Sequence, residues 1–266
     1  MFTPKELALA RGWPGRIEGD RVIQFAAQTL QSFFTGGGSA REHAEYALAD
    51  VDLLPPVLAP PSVRDFMAFE QHVATARAAR GAEVPKEWYE IPVFDFSNPA
   101  AIYGPGADVP YPEGTNELDY ELECAAMIGA EGMIAGFTVM NDWSARDLQR
   151  AEMRVGLGPA KGKDFATSFG PVLVTVDEFD GSEGEMVARV NGEERSRGNL
   201  RDLYHSWARI VAQASLNTVL RPGDLLGSGT VGSGCILEHG DNRWLQRGDV
   251  VELEIEGIGI LENTVR

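Results

Sequence analysis

Two apolar stretches of this chain run directly into acid, and any fold that buries them has to bury carboxylates too. Ile134–Met140 leads into Asn141-Asp142, and Asp119-Tyr-Glu-Leu-Glu123 leads into Cys124-Ala-Ala-Met-Ile-Gly129. Side chains two apart in a strand share a face. Asp119, Glu121 and Glu123 therefore project together, opposite Leu118, Tyr120 and Leu122. Taken alone, that stripe also suits an ordinary solvent-facing strand. Its apolar continuation argues for burial, and buried like charges cannot all stay ionised without a cation. Asp142 adds a carboxylate from a neighbouring apolar strand. A set of oxygens without His or Cys suits Mg2+, with Mn2+ or Ca2+ as alternatives, and argues against zinc.

The rest of the chain is compatible with such a site. Its 266 residues are 44% hydrophobic, enough for one large domain, or for a domain and a small N-terminal module. The 30 glycines and 15 prolines suit many short strands joined by turns. A net charge of −17 disfavours nucleic acid and anionic membrane surfaces as partners. Small anionic substrates stay open, because a bound cation and a few Lys or Arg reverse the sign locally. The two cysteines, Cys124 and Cys235, show neither metal-site spacing nor a disulfide framework, and Cys124 reads as a core residue. No leader pattern opens the chain and no apolar run approaches a membrane span, so a cytoplasmic protein is expected.

The proline-rich stretch Leu54-Pro-Pro-Val-Leu-Ala-Pro-Pro61 reads as a stiff connector. It divides a small module over residues 1–60 from a main domain over residues 61–266. Strands are expected at Arg21–Phe25, Leu118–Ile128, Gly136–Met140, Gly170–Val176, Leu225–Val231 and Asp249–Ile260, with Phe33–Ser39 as a loop. Met186–Val190 followed by Asn191-Gly192 reads as a hairpin. Helices are expected at Arg64–Arg80 with Ser62 as N-cap, at Ser144–Val155 with Ser144 and Asp147 as a capping pair, and at Leu203–Leu220. Trp88–Pro99 is broken by prolines and reads as loop and short strand. Of its residues, Trp88, Tyr89, Phe94, Asp95 and Phe96 are expected to shape a pocket. Strands dominate throughout.

Among the four histidines, His72 has an informative spacing. It follows Asp65 by seven residues, which on a helix is one face and about 10 Å along the axis. That separation is too long for one ion, but suits an ion on one side of a small substrate and a base on the other. His72 alone equally suits a surface position.

Read in order, these residues resemble the fumarylacetoacetate hydrolase family over roughly residues 60–266. Arg64-Asp-Phe-Met-Ala-Phe-Glu-Gln-His72 looks like the family's metal-binding Asp followed by its catalytic His. Leu118-Asp-Tyr-Glu-Leu-Glu123 resembles its Glu-x-Glu motif, and Met140-Asn-Asp-Trp-Ser-Ala-Arg-Asp-Leu-Gln149 is close to the family signature. Gly158–Thr167 resembles the segment that supplies a lysine and a threonine near the metal. Gly229–Glu238 resembles the one that supplies a substrate-contacting Gly-Thr and the Glu that orients the His.

The resemblance implies a mostly-β (α+β) fold, a mixed β-roll or sandwich with a few peripheral helices, assembled as a homodimer. It implies metal ligands Asp65, Glu121, Glu123 and Asp142, His72 as base, Glu238 as its orienter, and Arg146, Gln149 and Lys163 around an anion site. Thr230, Met67 and Arg80 are implied at the substrate. Each also has a plainer alternative: a solvated loop for Lys163, a helix surface for Arg146 and Gln149, a turn for Thr230, the flank of a hairpin for Glu238.

The activity implied is hydrolysis of a carbon–carbon bond in a β-diketo acid or acylpyruvate, as in aromatic catabolism. A divalent ion would steady an enolate, and a His–Glu pair would activate water over which residues 72–90 close as a lid. Decarboxylation or isomerisation of oxaloacetate or a 2-hydroxy-diene-dioate is the alternative within the family, and a non-catalytic ligand-binding protein the alternative outside it. Relative to the animal fumarylacetoacetases the N-terminal part is short. Met67 stands where they carry Tyr, and Gly81 where they carry Arg, with Arg77 and Arg80 nearby. Fumarylacetoacetate itself is therefore not the expected substrate.

Overall fold

The computed structural model describes residues 1–79 and 81–266. At its centre is a seven-stranded sheet, in the order Phe94–Ser97, Val63–Phe66, Leu225–Gly227, Leu122–Ile128, Ile134–Asp142, Thr167–Thr175 and Ile102–Tyr103. A five-stranded sheet, built on the hairpins Glu185–Val190/Glu193–Asn199 and Val250–Ile255/Gly259–Val265, packs against one face of it. Leu122, Cys124, Ala126, Phe137 and Val139 share that core with Met186, Ala188, Leu253, Ile255 and Leu261. The opposite face is also apolar, carrying Val63, Ala125, Met127, Met140, Phe169 and Leu225. A sheet buried on both sides reads in sequence as an unbroken apolar run rather than an alternation.

The second face places the acids. Its apolar positions continue, two residues on, into polar ones: Val63 into Asp65, Met140 into Asp142, Ala125 back into Glu123, Phe169 back into Thr167. Asp65 pairs in register with Gly227 on one side and Asp95 on the other, and Asp142 pairs with Thr167. The period of two therefore gathers carboxylates from separate parts of the chain at one end of one face.

The N-terminal residues form a sheet of Gly15–Glu18, Arg21–Phe25 and Glu42–Ala47, a helix over Leu30–Thr35, and a strand pair of Phe2–Pro4 with Val51–Leu53. The helix covers Phe33–Thr35, where a loop was expected. Asn191 and Gly192 both take positive φ, 53° and 77°, as the type I′ hairpin turn requires.

Several expected helices and strands differ. Arg64–Arg80 is not one helix: Val63–Phe66 is a strand and the helix runs only over Glu70–Ala78, with Phe69 rather than Ser62 before it. Arg64 and Phe66 face one way and Val63 and Asp65 the other, a two-sided burial that composition alone reads as helical. The helix at Arg146–Val155 starts after Ala145 without a side-chain cap. Ser144 Oγ donates instead to the Asp142 carbonyl at 3.0 Å, and Asp147 accepts from Thr115 and the Asn116 N–H. The expected helix over Leu203–Leu220 contracts to Trp207–Ser215, capped by Ser206. The strand after Leu225 stops at Gly227, and Asp249–Ile260 divides at Gly257 into the two strands of a hairpin. A short helix, Lys86–Glu90, extends into the start of Trp88–Pro99, ahead of the strand Phe94–Ser97.

Candidate active site

Asp65, Glu121 and Glu123 are all buried, and each offers a carboxylate oxygen within 4.8 Å of the others. Asp65 comes from its strand, Glu123 from the next strand but one, and Glu121 from the break between Leu118–Asp119 and Leu122–Ile128. That break, held by the Glu121 N–H donating to Asn141 Oδ1 at 3.0 Å, separates Asp119 from the stripe it was expected to share. Asp142 is fully buried beside this trio and is joined to it through Lys163, whose ammonium donates to Glu121 and, at 2.5 Å, to Asp142 Oδ2.

The trio fits a divalent cation. Among the described residues nothing donates to Asp65 Oδ1 or Glu123 Oε2, although both are buried. Leaving such atoms unpaired is costly unless something else satisfies them. Both oxygens face Gly227, where a Cβ would lie 2.6 Å from Asp65 Oδ1 and 3.1 Å from Glu123 Oε2. Burial, reinforced by the charge of Asp142, pushes the Asp65 carboxyl well up, and burial with Asp65 nearby does the same to Glu123. Burial also raises Asp142, to about 6 against the pull of Lys163. Glu121 goes the other way: burial opposes ionisation, but Arg146 and Lys163 together overcome it and hold the group ionised. The three donors of the trio are hard carboxylate oxygens, as Mg2+, Mn2+ or Ca2+ prefer.

Hydroxyls steady the carboxylates. Thr230 Oγ1 donates to Glu123 Oε1 at 3.3 Å and Thr167 Oγ1 to Asp142 Oδ1 at 3.4 Å. Arg146 is 3% exposed, its Nε on Asp119 Oδ2 at 2.8 Å, its Nη2 on Glu121 Oε1 at 2.7 Å and its Nη1 on Gln149 Oε1 at 3.2 Å.

Across the cavity, His72 Nδ1 meets Glu238 Oε1 at 2.5 Å. The second Glu238 oxygen accepts the Ser233 N–H at 2.9 Å. His72 projects from the helix Glu70–Ala78 and Glu238 from the helix Ile236–His239. A cavity of about 170 Å³ brings Asp65, Glu121, His72, Arg146, Gln149 and Lys163 to one surface, with Thr230 and the half-exposed Met67 also on its wall. A larger groove of about 790 Å³, between the N-terminal strands and the sheet, is lined by none of these residues. Arg80, expected at the substrate, lies outside the described residues; Arg77, three positions earlier, does line the cavity.

Of the five residues expected to shape the pocket, only Asp95 lines it. The alternation Phe94-Asp95-Phe96 carries the signal: Asp95 turns to the face of Asp65, and the two phenylalanines turn to the other, against the Arg64 guanidinium at 5.9 and 5.6 Å. Trp88 sits behind the wall, its Nε1 donating to the Met67 carbonyl at 2.8 Å, and Tyr89 packs edge-on against it. Sequence reasoning also missed Gly227, the Ser233 N–H and the anchoring part played by Asp119. Backbone donors and a missing Cβ leave no side-chain pattern to read.

The family profile described as "Fumarylacetoacetate (FAA) hydrolase C-terminal" matches residues 62–266, and the chain belongs to this family. Oxaloacetate tautomerase YisK of Bacillus subtilis is 29% identical over 260 residues, covering 93% of this chain and 84% of the relative. The solved structure of a fumarylacetoacetate hydrolase from Exiguobacterium antarcticum superposes with a TM-score of 0.79 at 29% identity, covering 96% of this chain and 95% of that one. The 5-carboxymethyl-2-hydroxymuconate delta-isomerase of Mycobacterium smegmatis does so with a TM-score of 0.76 at 28% identity, covering 99% and 97%. The mostly-β fold is thus the family's. The relatives' names span hydrolase, isomerase and tautomerase. No described helix is long and apolar enough to cross a membrane.

Proposed function

We propose that the chain is a divalent-cation-dependent hydrolase that cleaves a carbon–carbon bond of an acylpyruvate or related β-diketo acid. The observation that carries this reading is the His72–Glu238 pair on the wall opposite the carboxylate trio. Glu238 is fixed at both oxygens, by His72 and by the Ser233 N–H. A carboxylate facing Nδ1 places the ring proton there and leaves Nε2 as the basic nitrogen.

Asp65, Glu121, Glu123 and Asp142 would hold the ion, with Mg2+ the first candidate. When bound it supplies a Lewis acid toward the two oxygens of a keto-enol acid. His72 Nε2 takes a proton from water as the hydroxide attacks the remote carbonyl carbon. Glu238 stabilises the imidazolium that forms. Gln149, Arg146 and Lys163 present N–H donors to the charge that develops on that carbonyl oxygen. The bond between the acyl carbon and its neighbour then breaks, its electron pair stays with the keto-acid fragment, and His72 returns the proton. The products are a carboxylic acid and a keto acid. Thr230 and Met67 line the substrate's path. A homodimer in the cytoplasm, with neither nucleic acid nor membrane as partner, completes the proposal.

A second reading is supported by the names of the relatives: tautomerisation or isomerisation of oxaloacetate or a dienoic diacid, which moves a proton without water attack. Decarboxylation of oxaloacetate at the same carboxylates is a further alternative. Product analysis decides between them. Acylpyruvates and oxaloacetate are incubated with Mg2+ and the products identified. Stoichiometric carboxylic acid from an acylpyruvate, abolished in His72→Ala, supports hydrolysis. CO2 or tautomer formation that survives His72→Ala overturns it. Binding of metal and ligand with no turnover anywhere on the panel points to a non-catalytic protein.

A further inference from the structure

The proposed chemistry makes no use of Cys235, a fully buried residue immediately beside its base. Cys235 Sγ lies 3.6 Å from Glu238 Oε1, the same oxygen that meets His72 Nδ1. The three ligand atoms of His72, Cys235 and Glu238 all fall within 4.8 Å of one another. Cys235 occupies the position just before the helix Ile236–His239, without capping it through its side chain, and Glu238 sits three residues on, so one helical turn presents both; His72 approaches from the helix Glu70–Ala78.

From this geometry we propose that His72, Cys235 and Glu238 form a second cation site, selective for Zn2+, whose occupation switches the enzyme off. The donor set is nitrogen, sulfur and oxygen, which suits zinc and not magnesium. Tetrahedral zinc with bonds of ~2.0–2.3 Å spaces its ligand atoms roughly 3.3–3.7 Å apart. The sulfur–oxygen pair is already at that spacing, and the nitrogen–oxygen pair has to open by less than about 1 Å as the ion replaces the proton between them. The charges balance: a thiolate and a carboxylate neutralise the ion, so the buried site carries no net charge. One proton, the thiol's, leaves to solvent. The imidazole stays neutral, but with Nδ1 on the metal its proton moves to Nε2. The nitrogen assigned to accept a proton from water then becomes a donor, and base catalysis stops.

The two sites differ in hardness, so magnesium at the carboxylate trio does not protect against zinc at the dyad. The inhibitory consequence rests on the proposed role of His72; the site itself does not. The test uses Co2+ as a spectroscopic substitute on the full-length protein saturated with Mg2+. Thiolate-to-cobalt charge-transfer absorption in the near ultraviolet is expected, displaced by Zn2+ and absent from both Cys235→Ala and Cys235→Ser. The other cysteine, Cys124, lies in the core cluster of Leu122 and Val139, so the band is assigned by these variants. In turnover assays Zn2+ lowers kcat of the wild type, and its potency falls at least ~10-fold in both variants, whose zinc-free activity is retained.

No thiolate band in the wild type overturns the site. Equal zinc inhibition of wild type and variants, with Mg2+ saturating, assigns the effect to the carboxylates and overturns it too. A cysteine-dependent band with turnover unaffected by zinc overturns the inhibitory role. Absorption needs no turnover, so the site stands or fails separately from the hydrolase reading, which His72→Ala tests by itself.

Discussion

Gly227 stands directly opposite Asp65 in the parallel pairing of their strands, and a Cβ on Gly227 would lie 2.6 Å from Asp65 Oδ1. Met140 Sδ, at 2.8 Å, closes the same space from below. Gly227 is not among the positive-φ residues, so alanine is admissible to the backbone, and the obstacle is the space itself. Gly227→Ala is expected to fold with a loss of about 1–3 kcal/mol from overpacking. Its Mg2+ affinity is expected to fall at least ~10-fold, because the carboxylates can no longer converge. Calorimetric titration with Mg2+, alongside chemical denaturation, checks both; unchanged affinity in the variant would remove Gly227 from the floor of the site.

His72→Ala separates the base from the ion. His72 touches none of the four carboxylates through a hydrogen bond, its partner being Glu238. The variant is expected to keep its Mg2+ affinity within about twofold and to lose ~10²–10⁴ in kcat, the range for a positioned general base. Steady-state kinetics paired with metal titration checks it. Parallel loss of metal affinity would mean that the two halves of the cavity are not independent.

The carboxyl shifts set a pH dependence whose sign depends on the metal. Asp65, Glu123 and Asp142 all have carboxyls raised by burial, Asp142 to about 6. Unfolded carboxylates titrate near ~4. Between about 4 and 6 the metal-free folded chain therefore holds more protons than the unfolded chain, and its stability falls as pH rises, losing up to ~1.4 kcal/mol per pH unit for each proton in excess. Glu121, displaced in the opposite direction from its usual value of 4.5, opposes the trend only at the acid end of this window, where the unfolded group is still partly protonated, and adds little once that group is ionised. A divalent ion takes the place of those protons, so saturating Mg2+ reverses the trend and its affinity strengthens as pH rises toward neutrality. Thermal melts with and without Mg2+ across this window read the sign. Parallel curves would show that the trio binds no ion.

How far the sequence alone reaches can be judged from the same residues. Glu121, Glu123 and Asp142 are legible because each adjoins an apolar run, and burial of the run forces burial of the acid; Asp65 is legible only through the family resemblance. Asp65 and His72 share no helix, so their seven-residue helical spacing does not apply. The two residues come close to one cavity because a strand, a short loop and a helix turn the chain. Val63–Phe66 was hidden because its two faces are both buried, so neither the period of two nor polar punctuation marks it. Asp95 was within reach of the alternation Phe94-Asp95-Phe96, whereas Gly227 and the Ser233 N–H act through what a side chain lacks or through backbone alone.

Asp119 was read as part of an acidic stripe, yet its position gives it a separate role. Its Oδ1 accepts the Ile236 N–H at 2.7 Å, and its Oδ2 accepts both Arg146 Nε at 2.8 Å and the Leu237 N–H at 3.1 Å. It thus ties the guanidinium that steadies Glu121 to the first turn of the helix that carries Glu238. The carboxylate also suits the partial positive charge of those unpaired helix N–H groups. Asp119→Asn removes that charge while Arg146 stays buried, with Glu121 as its remaining carboxylate. The expected loss of stability is about 3 kcal/mol, the lower end for breaking a buried pair, because one partner survives. Turnover is expected to fall more steeply than Mg2+ affinity, since the variant loosens both the Arg146 donor and the helix under the dyad, and leaves the trio's own oxygens in place. Urea denaturation with kcat and metal affinity measured on the same preparation checks this. A variant as stable as wild type with kcat unchanged would show that Arg146 and the dyad helix keep their positions without Asp119.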